Sequence, residues 1–175
     1  MLESLLNSET QRIIALIHKH NLTLQPFIIS NVIATNDFKY QAMIKVLDTN
    51  NRIIKFNIIV GNELINIKPI GLCIAVICHE LGHIVNVTGE FLFRNAKKFT
   101  YSSKGLNYYY KGAEFLADIL AVKFLALSGY NPHIYIDYFQ EFQRIYNIDP
   151  NEEDERHPSI NRRINTITKL INSRF

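Results

Sequence analysis

His79 and His83 sit four residues apart in the stretch His79-Glu80-Leu81-Gly82-His83. On an α-helix that spacing puts both imidazoles on one face, one turn apart, where they can share a metal ion. Glu80 points about 100° away from His79 around the helix. Its carboxylate therefore reaches a water beside the metal instead of competing for the metal. Two imidazoles with a neighbouring base form the HExxH pattern of zinc-assisted hydrolysis.

A catalytic zinc takes three protein ligands and keeps one position open. The continuation HExxHxxGxxH would need a glycine and a third histidine where this chain has Asn86 and Gly89, so that arrangement is excluded. The segment Gly112-Ala113-Glu114-Phe115-Leu116-Ala117-Asp118 offers two carboxylates four apart on one helical face. An apolar helix makes unpaired carboxylates expensive, so both need partners. Glu114 is assigned as the third ligand in preference to Glu90, which lies beyond Gly89 at the expected helix end. Asp118 is expected to accept the distal N–H of a ligand histidine and so set its tautomer. His18, His20 and His133 show no partner pattern and read as surface or boundary residues.

These side chains need a scaffold, and 175 residues suffice for one domain, 1–175, with a sizeable core. A hydrophobic fraction of 47% excludes a disordered chain. The net charge of +3 gives no reason to expect a nucleic-acid partner. No apolar run approaches the roughly 18 residues of a membrane span, and the N-terminus lacks a signal-peptide pattern. Cys73 and Cys78 fall on different faces of a helix and read as reduced core thiols, which fits a cytoplasmic location.

Ser8-Glu9-Thr10-Gln11 reads as a capping box, with a first helix ending near Asn21. Phe27–Ile33, Tyr40–Leu47 and Ile53–Val60 read as strands, the last two joined by a turn at Asp48-Thr49-Asn50-Asn51. They imply a small, mostly antiparallel sheet of about three strands. The helix carrying His79 is expected from Pro69 to about Val87, apolar almost all round, with HExxH in its C-terminal half. Residues 89–111 read as a basic, tyrosine-rich connection, either a solvated loop or a lid over the site. Helices follow at about Ala113–Ser128, stopped by Gly129, and at Pro132–Tyr146. Asn151–Arg156 reads as a solvated acidic loop. Ile160, Ile164, Ile167 and Ile171 mark a closing amphipathic helix. The fold class is α+β, with the sheet packed on the HExxH helix and a mainly helical C-terminal half.

The motifs HELGH, AEFLADILAVKFLALSGYNP and HPSINRRI, spread over roughly residues 70–170, resemble the gluzincin metallopeptidases of the HtpX and CAAX prenyl protease type. The chain is similar to the minimal, soluble minigluzincins, because it lacks the membrane helices of the larger members. It also lacks the family's usual Asn-Ala stretch ahead of the active-site helix. The resemblance implies a zincin-like domain and a zinc endopeptidase. His79, His83 and Glu114 would hold one Zn2+, and Glu80 would act as general base. It places His157 near the scissile bond as an oxyanion stabiliser, while Arg163 reads as a structural ion pair. The expected partner is a protein or peptide substrate, extended along the sheet edge. The alternative is a latent or inactive zinc-binding interaction protein. Residues 1–25 form a candidate regulatory segment that could cover the cleft.

Overall fold

The computed structural model describes residues 2–23, 26–48, 53–94 and 103–174, and the side chains among them outside 48 and 87–109. In chain order the elements are α1 (Leu2–Lys19), β1 (Phe27–Thr35), β2 (Ala42–Asp48), β3 (Ile54–Gly61), α2 (Asn62–Ile65), α3 (Gly71–Arg94), α4 (Ser103–Leu127), α5 (Ile134–Tyr146) and α6 (Ile160–Arg174). The fold is α+β, with three strands following α1 and a mostly helical second half.

The sheet is mixed, which corrects the mostly antiparallel expectation. Its order is β1-β3-β2, with β3 parallel to β1 and antiparallel to β2. The cause lies in β3. Its residues Ile54, Phe56, Ile58 and Val60 are all buried, which suits the central slot. The chain leaves β1, skips that slot to lay down β2, and returns to fill it. Along β1 the register shifts between Ile29 and Asn31, so Ile29 and Val32 both face the core although they are three apart. The expected turn at 49–51 lies outside the described residues.

Helix α1 starts at Leu2, not after Ser8, because Leu6 is fully buried and rewards the extra turn. The residues that resembled a cap perform other work. Gln11 donates to the Ile29 carbonyl at 2.6 Å, and one turn earlier Asn7 exchanges two hydrogen bonds with Val32 of β1. Asn21, at φ 52°, ends α1 as expected, with Leu22 N–H bonded to the Ile17 carbonyl at 3.0 Å. Gly129, at φ +81°, ends α4 in the same way.

Helix α3 begins two residues after Pro69 and runs to Arg94, so HExxH lies in its middle. Burial is continuous from Leu72 to His79, as the all-round apolar sequence requires. The expected connection at 89–111 is largely helical backbone, with α3 reaching Arg94 and α4 starting at Ser103. Residues 95–102 lie outside the described residues. Among the described residues no helix is long and apolar enough to cross a membrane.

Candidate metal centre

Helices α3 and α4 pack along each other, and Gly82 sets how closely. A Cβ at Gly82 would lie 2.7 Å from the Ala117 carbonyl oxygen and 2.9 Å from the Ala117 Cα. No side chain fits there, so α4 comes close enough for Glu114 and Asp118, on either side of Ala117, to reach the α3 histidines.

His79, His83 and Glu114 converge. The two Nε2 atoms are 3.0 Å apart, His79 Nε2 is 3.4 Å from Glu114 Oε2, and His83 Nε2 is 3.1 Å from Glu114 Oε1. A tetrahedral ion with bonds of about 2.0–2.1 Å would have ligand atoms about 3.3–3.4 Å apart. Donor chemistry and spacing both fit one divalent metal ion. The electrostatics agree. Burial disfavours a charged His79, but its bonds to Asp118 and Glu114 outweigh burial and lift its pKa to about 9. Burial likewise opposes ionisation of Glu114, and the two imidazoles with Arg163 reverse that, holding its carboxyl well below the ordinary value. The cage favours positive charge.

Behind His79 lies a closed polar network. Asp118 is fully buried, with Oδ1 3.0 Å from His79 Nδ1, as expected for an orienting carboxylate. Arg163 forks onto it, Nε donating to Oδ2 at 2.8 Å and Nη2 to Oδ1 at 2.6 Å, while Nη1 lies 3.2 Å from Glu114. Desolvation would raise the pKa of Asp118, but the Arg163 charge and the His79 bond keep it low. Arg163 is thus the structural ion pair expected, with partners on α4. Tyr135 was missed. Its hydroxyl donates to Asp118 Oδ1 at 2.6 Å and lies 2.8 Å from His79 Nδ1. The available clue was the stripe Tyr135, Tyr138, Phe139, Phe142, whose helical spacing turns Tyr135 inward, where its hydroxyl needs a partner.

The triad opens on a cavity of about 650 Å³. Gln41 and the first residues of β2, Ala42 to Ile44, form one wall, and Tyr138, Phe139 and Phe142 of α5 form another. Glu80 lines the cavity beside the triad. Among the described residues its carboxylate accepts no hydrogen bond, and burial pushes its pKa up against the pull of His79 and His83.

His157 lines the same cavity, from the loop between α5 and α6. Its Nδ1 is 2.8 Å from Asp154 Oδ2, and Asp154 Oδ1 also accepts the backbone N–H groups of Arg156 and His157. The acidic loop is therefore more than solvated. Glu153 accepts from Lys111 of α4 at 2.7 Å and from Arg162 of α6 at 2.6 Å. These bonds drop its pKa to about 2.

His20 and His133 are exposed and His18 is part-buried, edge-on to Phe27. Both cysteines are free and buried. The side chain of Glu90 lies outside the described residues. No family model, curated protein or solved structure matches the chain.

Proposed function

We propose that the protein is a zinc-dependent endopeptidase with a zincin-like, gluzincin-type site. The observation that carries this reading is the convergence of His79, His83 and Glu114 within 3.0–3.4 Å of one another, beside a Glu80 carboxylate that accepts no hydrogen bond among the described residues. Zinc held there supplies Lewis acidity toward a carbonyl and toward water.

The chain's own groups do the rest. Glu80 takes the proton from the attacking water and returns it to the leaving amine. It lines the cavity beside the triad and is free, among the described residues, to accept that proton. The His157 ring is held at Nδ1 by Asp154, and as the doubly protonated imidazolium it donates from Nε2 to the developing oxyanion. Among the described residues β2 pairs with β3 alone, and residues 41–44, at and just before its start, line the cavity. A substrate strand can add there, with backbone hydrogen bonds fixing the scissile bond over Glu80.

The test pairs metal analysis with hydrolysis of an unfolded protein such as casein. The parent should carry one zinc per chain and cleave, and a chelator should stop cleavage. Glu80→Gln should keep the zinc and lose about 10²–10⁴-fold in rate. Full activity in Glu80→Gln, or a parent that binds no zinc, would sink the proposal.

A further inference from the structure

The network behind His79 contains a hydroxyl that an orienting carboxylate alone would not require. Tyr135 is 1% exposed, and its oxygen sits between two groups, 2.6 Å from Asp118 Oδ1 and 2.8 Å from His79 Nδ1. The phenol has one hydrogen to give. Asp118 is ionised and can only accept, so the short contact takes that hydrogen. The phenol oxygen then faces Nδ1 with a lone pair, and Asp118 Oδ1 faces the same nitrogen at 3.0 Å. Two acceptors converge on Nδ1 at 2.8 and 3.0 Å, closer than the Arg163 Nη2 donor at 3.5 Å, so Nδ1 carries the ring proton. With a metal bound, Nε2 is then the nitrogen left bare, and it is directed at His83 and Glu114. Arg163 closes the arrangement by holding both oxygens of Asp118, so the carboxylate cannot rotate away from the phenol.

We propose that Tyr135 is a positioning residue of the metal centre. Its hydroxyl, held by Asp118, shares the Nδ1–H of His79 and fixes the tautomer and ring angle that aim Nε2 at the ion. This inference rests on the reading of His79, His83 and Glu114 as a metal site and extends it to α5, an element that supplies no ligand. Outer partners of ligand histidines affect metal affinity by about 10–100-fold, and that is the loss expected here.

The experiment uses the full chain and zinc itself. Tyr135→Phe keeps the ring and its contacts with Tyr138 and Phe139. Competition with a chromophoric chelator should show zinc bound about 10–100-fold more weakly, and the visible bands of the Co2+-loaded protein should shift. Tyr130→Phe removes a hydroxyl bonded to Glu9, away from the site, and should leave both readouts unchanged. Tyr135→Phe that matches the parent in zinc affinity and Co2+ spectrum would overturn the proposal. A second measurement needs no variant. Histidine ¹⁵N spectra of the zinc-loaded parent should show His79 protonated at Nδ1, with its proton close to the Tyr135 ring. A bare Nδ1 would overturn the proposal. A parent that binds no zinc would instead remove the metal reading on which it stands.

Discussion

Arg163 faces two carboxylates at once, forked onto Asp118 and 3.2 Å from Glu114. Replacing it with an apolar side chain leaves Asp118 in the core without its guanidinium counter-charge, held only by Tyr135 and His79. Arg163→Met should therefore cost about 3–5 kcal/mol, read from the urea midpoint. Adding Asp118→Asn should recover part of the loss, since the stranded charge is then gone. An equal loss in the single and double variants would refute this account. At this scale the sequence was informative wherever a single helix sets the geometry. His79, Glu80 and His83 are one such set, and Glu114 with Asp118 is another, because the 3.6-residue repeat fixes which side chains share a face. Contacts made between elements carried no comparable sign. Nothing in the spacing of Tyr135 or Glu153 names His79 or Lys111 as a partner.

Among the elements, the crossing of α3 and α4 sets the cage, and Gly82 sets the crossing. Gly82→Ala places a methyl group against Ala117 backbone atoms that have no rotamer to turn away. Helix propensity would favour alanine by about 1 kcal/mol, but overpacking of this kind costs about 1–3 kcal/mol. The helices must part by several tenths of an ångström, lifting Glu114 from the histidines. The expected result is unchanged helix content by circular dichroism with weakened zinc binding, and parental zinc affinity would count against it. Glu153 ties α4, α6 and the His157 loop through Lys111 and Arg162. Its folded pKa, about 2, lies below the ordinary 4.5, so the stabilisation is complete above pH 4.5 and fades as the pH falls toward 2. Glu153→Gln should lower the melting temperature at pH 7, with the gap from the parent shrinking at pH 3 and in high salt. A gap independent of pH would argue against the ion-pair tie. Most helices and strands were readable from period and punctuation, as at Asn21 and Gly129. Strand order was not, because local alternation along β1, β2 and β3 does not encode which strand takes the middle. The capping-box reading of Ser8 failed for a related reason, since burial of Leu6 outweighed a local signal.

For the molecule as a whole, the cavity is bounded by β2 and the helical half, while α1 is built into the core through Leu6, Ile13 and Ile17. The described part of the N-terminal segment, residues 2–23, therefore braces β1 and does not lie over the cleft. Cys73 and Cys78 are also part of that core, on the helix that carries His79 and His83. Both are fully buried, and burial pushes their thiols up, Cys73 to about 12. A thiol reagent needs an exposed thiolate, so neither sulfur should react until α3 is uncovered. The labelling rate then times how often the fold opens around its own site. Labelling should be very slow in the native protein, accelerate with urea, and slow again when zinc is added. Rapid labelling in the absence of denaturant would contradict it. The pair of buried sulfurs is thus a built-in clock for the opening of α3.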